Sequence, residues 1–498
     1  MDHNFFTMNW FQKFIYNLLQ FFILLPGRLW KGIRALGNGI VRLVKGIGNF
    51  FAGLWQMFWD GDVFVKLSYL IMGFGCIVRK QVLKGILFLG LQGGIIYFVQ
   101  SFGWHYLREI GTLGTAEREI IGYSPLGTPL YSPPDNSMLI LLYGVMTMLV
   151  IGVLLAIWVA SIKASYKACE NHRANRKNTT ALEDIRGLLD EKYQATLLSG
   201  PMLLASAFVI LPLIFMILIA FTNFDKNHQP PGNLFTWVGF QNFQDVLGNN
   251  PLKAKTFSYL LGWNITWAIF ATFSNYLLGM LLAILINKKG IKLKKLWRTI
   301  FVVTIAVPQF VSLLIMRNIF YDQGQGGPVN ILLTQYFGMD MVRFWSDGPL
   351  ARIMVIIVNM WVGIPYSMLI CSGILMNIPA DLYESARIDG ASPLKTFTRI
   401  TLPYMLFITT PYLITQFVGN FNNFNVIYLL TQGNPKSVFL YQAGETDLLV
   451  TWLYKLTVDF ADYNLASVIG IFVFIISAVL SLIVYNSSSS MKNEEAFQ

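Results

Sequence analysis

Four asparagines, Asn420, Asn422, Asn423 and Asn425, fall within six positions of a largely apolar run from Pro403 to Leu430. Amides cannot face hydrocarbon cheaply, so each needs a partner in the protein or in a solute. On an unbroken helix turning about 100° per residue, Asn420 and Asn423 share a face with Phe417 and Phe424, and Asn422 and Asn425 lie on the opposite one. An amide offers both donors and an acceptor, which suits hydroxyl groups, and an aromatic ring suits the apolar face of a sugar. The first pair is therefore expected to line a solute path. The second pair is expected to tie helices together, at roughly 0.6 kcal/mol per hydrogen bond.

A second wall is available on the run 351–378. Gly363, Tyr366 and Ser367 fall within about 100° of one another on a helix, and Pro365 can bend it so that freed backbone groups meet a cavity. Pro308-Gln309 predicts a similar break that carries an amide. Trp361 lies on another face, as packing. No Lys, Arg, Asp or Glu lies deep in these runs, which points to an uncharged solute and away from ion-coupled transport, where intramembrane acids are expected. Catalysis has no foothold: His3, His105, His172 and His228 are scattered outside the apolar runs, and Cys76, Cys169 and Cys371 are isolated, so neither a catalytic residue nor a metal site is predicted.

These residues must be positioned by membrane helices. The chain has 498 residues, 55% hydrophobic and only 13% charged, with mean hydropathy +0.53. Spans are predicted at 85–103, 138–160, 197–221, 259–287, 299–321, 351–378, 403–430 and 464–486, giving an all-α polytopic membrane helix bundle of about eight transmembrane helices. Of the lysines and arginines, 27 lie in 1–84, 161–192, 288–298, 379–402 and 487–498, against 8 in 104–137, 222–258, 322–350 and 431–463. The first set, with both termini, is therefore cytoplasmic. The net charge of +11 reports this orientation and not nucleic-acid binding.

The same pass divides the chain. Residues 1–84 read as a cytoplasmic or interfacial region, in which Trp10, Phe14, Trp30, Trp55 and Trp59 are interleaved with Lys13, Arg28, Arg34, Arg42 and Lys45. N-terminal amphipathic helices lying on membrane lipid are expected there. The stretch 63–78, with Lys66, reads as an interfacial or re-entrant elbow. If it and 14–27 both spanned, the count would be ten and the later orientation would stand; one alone would invert it. Residues 85–160 carry two peripheral spans, 161–192 a solvated cytoplasmic linker, 197–486 a six-span core and 487–498 a cytoplasmic tail.

Between the sixth and seventh spans, Tyr383 to Pro403 reads YESARIDGASPLKTFTRITLP. Asp381 and Glu384 open a helical turn, Asp389-Gly390 stops it, and Ser392 as N-cap with Pro393 at the first position restarts a helix. The spacing of Glu384 and Ala386, Gly390-Ala391, and Ile400, Leu402 and Pro403 resembles the EAA loop of ABC importer permeases, with Ser385 at the middle of the triplet. The resemblance implies a type I ABC importer permease core whose cytoplasmic loop, at 379–402, sits in a cleft of a partner ATPase. Glu384, Ser385, Ala386, Asp389, Gly390, Ala391, Ile400, Leu402 and Pro403 would then be the coupling residues. No GxxxxGK[ST] occurs, so no cofactor is expected on this chain and ATP-Mg belongs on the partner ATPase.

Further strings narrow the resemblance: IAVPQF at 305–310, NMWVGIPYSMLICSGIL at 359–375, LLTQGNP at 429–435 and AGETDLLVTWLYK at 443–455. From 197 to 486 the chain is similar to the larger, MalF-type permease of maltose importers. That implies sugar contacts from Gly363, Tyr366, Asn420 and Asn423, with Phe417, Phe424 and Gln309 as further lining candidates. It also implies a second, MalG-like permease subunit, a homodimeric MalK-like ATPase and an extracellular sugar-binding protein, in a bacterial plasma membrane. Ile305 stands where the maltose permease has tyrosine, Gln309 where it has serine and Gly419 where it has phenylalanine. The expected cargo is a maltodextrin-like oligosaccharide; the alternative is another sugar such as a galacto-oligosaccharide, or a non-sugar solute. Segment 222–258 lacks the large external domain of some relatives.

Overall fold

The computed structural model describes residues 39–487 apart from residues 40, 43, 118, 192 and 289. The amphipathic stretch expected over 1–38, including 14–27, and the tail 488–498 lie outside the described residues. Chain contacts separate two units, Met1–Gly114 with Met138–Ile214, and Thr115–Ser137 with Phe215–Gln498.

In the first unit, residues 44–60 are helical and lead into α1 (Val63–Leu67) and α2 (Phe74–Val78). At five residues each, about 7.5 Å long, they form an elbow too short to cross a bilayer. The Asp62 carboxylate caps α1 by accepting from Val65 N at 3.0 Å and pairs with Arg79. The Trp158 indole donates to Tyr69 O at 2.8 Å, and Gly73 N donates to Ser161 Oγ at 2.7 Å, so the elbow is tied to a long neighbouring helix. The first apolar span is α3 (Val82–Glu109), and that long neighbour is α4 (Ser137–Arg173). The helix of α4 continues past residue 160 through the start of the stretch read as a linker. Later in that stretch, α5 (Ala181–Leu189) opens on a capping box: Thr180 N donates to Glu183 Oε2 at 2.8 Å and Glu183 N to Thr180 Oγ1 at 3.3 Å. The unit boundary falls inside α6 (Thr196–Ile219).

Among the described residues the second unit carries one two-stranded hairpin, Ile120–Tyr123 against Pro129–Tyr131, and is built mainly of helices joined by loops. Its axis is α7 (Pro251–Asn287), whose most apolar stretch is 44% buried against 6% for that of α3. Buried Ala268, Ala271, Thr272, Gly279 and Ala283 keep one side of α7 thin, and small residues let membrane helices approach closely where lipid supplies no hydrophobic drive. There follow α8 (Lys294–Ala306), α9 (Gln309–Ile319), α10 (Gly348–Leu375), α11 (Ala380–Ile388), α12 (Leu402–Phe421), α13 (Phe424–Leu430), α14 (Leu449–Val458) and α15 (Tyr463–Ser487). α7 packs against α10 and α12.

Among the described residues, six helices are long and apolar enough to cross a membrane, and α8 with α9 makes a seventh candidate. Two expected spans are therefore not straight rods. The run 299–321 bends by 92° between α8 and α9, at the Pro308 that lacks an N–H and biases its predecessor to extended backbone. The run 403–430 is interrupted between α12 and α13. By contrast, α10 continues as helix through Pro365.

Candidate functional site

The interruption after α12 is built by asparagine. Asn422 closes α12 at φ −104°, and Asn423, at φ −78° and ψ 92°, is the N-cap of α13, its Oδ1 accepting from Val426 N at 3.2 Å. Asn420 O accepts from Asn423 N at 3.1 Å across the break, and α7 supplies further donors to the carbonyls there. The Trp267 indole donates to Asn420 O at 2.9 Å, and Asn264 Nδ2 donates to Phe421 O at 2.9 Å while its Oδ1 accepts from Leu449 N at 2.9 Å. Irregular backbone inside a membrane stands where such partners exist.

A wheel drawn on an unbroken helix therefore fails beyond Phe421. Asn420 and Asn423 nevertheless meet: Asn423 Nδ2 donates to Asn420 Oδ1 at 3.4 Å, and Asn420 Nδ2 donates to Thr272 Oγ1 of α7 at 3.0 Å. Asn422 Nδ2 donates to Ser477 Oγ of α15 at 3.3 Å, a tie between helices, whereas Asn425 is exposed. The two phenylalanines turn elsewhere. Phe417 packs on the apolar cluster that holds Phe257, Leu260 and Phe421, and Phe424 stacks on Tyr428 with centroids 4.8 Å apart and meets Tyr454 edge-on at 5.0 Å.

Thr272 leads from the asparagine pair into a cavity of about 50 Å³ among α7, α10 and α12, lined by Thr272, Asn275, Gly363, Tyr366, Ser367, Tyr412 and Gln416 with Tyr276 and Leu413. Every lining residue is uncharged. The volume admits a water molecule or one hydroxyl group but no sugar ring. Gly363 and Tyr366 thus line one cavity, and Asn420 is joined to it through Thr272. Gln309 is exposed at the start of α9 and does not line it. Sequence reasoning missed Asn275, Tyr412 and Gln416. A signal was present, because Thr272, Asn275 and Tyr276, like Tyr412 and Gln416, repeat polar groups at three- and four-residue spacing on apolar helices.

At the other end of α12, α11 is a nine-residue helix closed by Gly390, whose φ of +67° is the left-handed conformation. Ala391 N donates to Ala386 O at 2.9 Å, and the Ser392 side chain accepts from Lys395 N at 3.3 Å to start the next turn at Pro393. From Pro393 the backbone is helical without interruption to Phe421, through a π-helical turn at Phe397–Thr401. Glu384, Ser385, Asp389, Gly390 and Pro403 are exposed, Ala391 and Ile400 half-buried, Ala386 and Leu402 buried. The element is pinned by Tyr383, whose hydroxyl lies 3.1 Å from Thr401 Oγ1. It presents Ile388 and Leu394, 86% and 71% exposed, beside these polar groups.

Beyond α13 the chain folds into a tight loop about Asp447, which is fully buried. Lys455 Nζ lies 2.6 Å from Asp447 Oδ2, and Gly444 N and Thr451 Oγ1 donate to the same carboxylate at 2.7 and 2.9 Å. Burial pushes the Asp447 carboxyl up, against the pull of Lys455. Arg352 secures the loop from α10, stacking over Tyr259 and Trp263 and donating to Glu445 O at 2.9 and 2.6 Å.

Residues 275–493 match the family described as binding-protein-dependent transport system inner membrane component. Over 429 residues the chain is 35% identical to the galactooligosaccharides transport system permease protein GanP of Bacillus subtilis, covering 86% of this chain and 98% of GanP. The chain belongs to this permease family. The maltodextrin transport system permease protein MdxF of the same organism is 33% identical over 437 residues, covering 86% of this chain and 96% of MdxF. The maltose/maltodextrin permease MalF of Vibrio vulnificus is 37% identical over 265 residues, 52% of this chain and 50% of that protein. A crystal structure of a bacterial ABC transporter involved in alginate import shares the fold, with TM-score 0.50 and 23% identity over 61% of this chain and 97% of the other. As a permease of this family, the chain is a multi-pass inner-membrane transport subunit and not a catalyst.

Proposed function

We propose that this permease is one half of the membrane pore of an ATP-driven importer for an uncharged oligosaccharide, of the maltodextrin or galacto-oligosaccharide class. One observation carries the reading: the walls that converge on the cavity, from Thr272 through Gly363 and Tyr366 to Asn420 and Asn423, offer amides, hydroxyls and rings and no charged group. A solute with many hydroxyls can exchange its water for such groups, whereas a charged solute would leave its charge unpaired in a low dielectric. The names of the relatives support both sugar classes and do not separate them.

The partners follow from the other end of the molecule. The exposed polar turn at Glu384 to Ala391, with Ile388 and Leu394 beside it, suits docking in a cleft of a homodimeric, MalK-like ATPase that binds ATP-Mg, while a MalG-like permease supplies the second half of the pore. With both termini cytoplasmic in a bacterial plasma membrane, the loop about Asp447 faces outward and offers a firm surface to an extracellular sugar-binding protein. A push on α11 passes through the Tyr383–Thr401 contact and continuous helix to Asn420, about 27 Å from Leu402 along α12. Rocking of α12 against α7 and α10 would open and close the cavity. The test is ATPase activity of the purified complex with its binding protein, in the presence of maltotriose, a galacto-oligosaccharide, or amino acids and polyamines. Stimulation by one of the sugars is expected; stimulation by a non-sugar alone would refute the reading.

A further inference from the structure

Buried polar atoms without a partner are rare in folded proteins, and each asks for an explanation. Among the described residues four side chains carry one: Glu109, Asn275, Asn359 and Gln442. Asn275 alone of these lines the cavity of α7, α10 and α12, and its Oδ1 is the unpaired atom. An amide oxygen is a strong acceptor, and the cavity that Asn275 lines has room for one hydroxyl group.

Two placements give this acceptor a direction. Asn275 follows Thr272 by three residues, so it stands on the same side of α7, about 4.5 Å further towards the basic end at Lys288. Thr272 already accepts from Asn420, which accepts in turn from Asn423. The polar groups therefore form a file: Asn423, Asn420, Thr272, then Asn275. The second placement concerns Gly363. A Cβ added there would overlap the Asn275 amide nitrogen, so the missing side chain is what lets Asn275 occupy this position.

We propose that Asn275 is a further solute-contacting residue, whose Oδ1 accepts a hydrogen bond from a sugar hydroxyl as the solute passes from Asn420 and Asn423 towards the cytoplasm, and that Gly363 makes room for it. The inference rests on the sugar-importer reading above. No bond is made or broken; a hydroxyl exchanges one acceptor for the next.

The experiment uses the whole complex in proteoliposomes with its binding protein, and maltotriose and a galacto-oligosaccharide as probes. Asn275→Leu keeps the shape but removes the acceptor, and should lower kcat for uptake roughly fivefold to tenfold, while KM for the loaded binding protein, set at the outer face, stays within about twofold. Asn275→Ser keeps an acceptor and should lose less than about threefold. Gly363→Ala should impair uptake, and adding Asn275→Ser in the same chain should restore most of it, because the smaller side chain vacates the overlap. Wild-type uptake in Asn275→Leu overturns the assignment, as does an equal fall in kcat and in assembled complex, which would mark a packing role. If the Leu variant does not assemble, the Gly363→Ala pair decides, and absence of restoration overturns it. A wild-type complex that imports neither probe refutes the sugar reading itself, a result separable from all of these.

Discussion

Gly390 allows a sharp test of the proposed coupling turn, because its backbone and its surroundings make opposite demands on a substituent. Its φ of +67° strains any residue with a Cβ, by about 1–2 kcal/mol for alanine, less for asparagine and more for a β-branched residue. Yet a Cβ built there meets nothing within 4 Å in the chain, so the cost is conformational and not steric. Relaxing the strain would break the bonds Gly390 N to Arg387 O and Ala391 N to Ala386 O, at 3.1 and 2.9 Å, and swing the restart at Pro393 away from α11. At roughly 1.4 kcal/mol per factor of ten, alanine should lower the equilibrium constant for the native turn by about five- to thirtyfold. The assay is sugar taken up per ATP hydrolysed by the reconstituted complex. The expected order is glycine, then asparagine, then alanine, then valine, with the large asparagine better tolerated than the small alanine. Asparagine worse than alanine would mean that the partner's cleft needs a small group and that backbone strain is not the reason for glycine; valine as well coupled as wild type would refute the docking role of the turn.

Three further outcomes are expected. Asn420→Leu should lower uptake at least several-fold or change sugar selectivity, whereas Asn422→Leu should leave uptake unchanged and lower the thermal midpoint slightly, since one interhelical bond is worth roughly 0.6 kcal/mol; unchanged uptake and selectivity in Asn420→Leu would reduce that residue to a helix tie. Asn264→Leu strands Phe421 O and Leu449 N at about 1–3 kcal/mol each, so the complex should melt lower and transport should fall, and a wild-type melting curve would show that the break needs no support from α7. Lys455→Met leaves the buried Asp447 carboxylate unpaired, at about 3–5 kcal/mol, and should expose 431–448 to protease at neutral pH. Because burial raises the folded-state pKa of Asp447, the protonated form favours the folded loop, and stability lost as pH rises through that pKa returns as pH falls; protection should therefore recover in acid, and a deficit independent of pH would contradict the assignment.

Much of this was legible in the chain wherever the deciding interaction is local. Gly390, Ser392 and Pro393 specify their turn through preferences of single residues, and the helix from Ala380 to Ile388 ends where those preferences say it must. Pro308 announced a break because proline removes a donor wherever it sits, although the 92° bend was not calculable. The asparagines were read as polar faces of one helix, but asparagine is also a favoured N-cap, and the sequence alone could not choose between the two roles.

Hydropathy, charge bias and spacing by themselves determined that the chain crosses the membrane many times, that it carries a polar turn between two spans, and that its apolar runs hold no charged residue at depth. Only the tertiary structure decided that the helix ends at Phe421, because freed carbonyls in a membrane are tolerable only if other helices satisfy them, and Asn264 and Trp267 lie more than 150 residues earlier in the chain. Phe417 joined the apolar core, Asn275 came to face Gly363, and Lys455 closed on Asp447 for the same reason. Each depends on which surfaces meet across α7, α10 and α12 or around the loop at Asp447, and a local pattern does not encode that meeting.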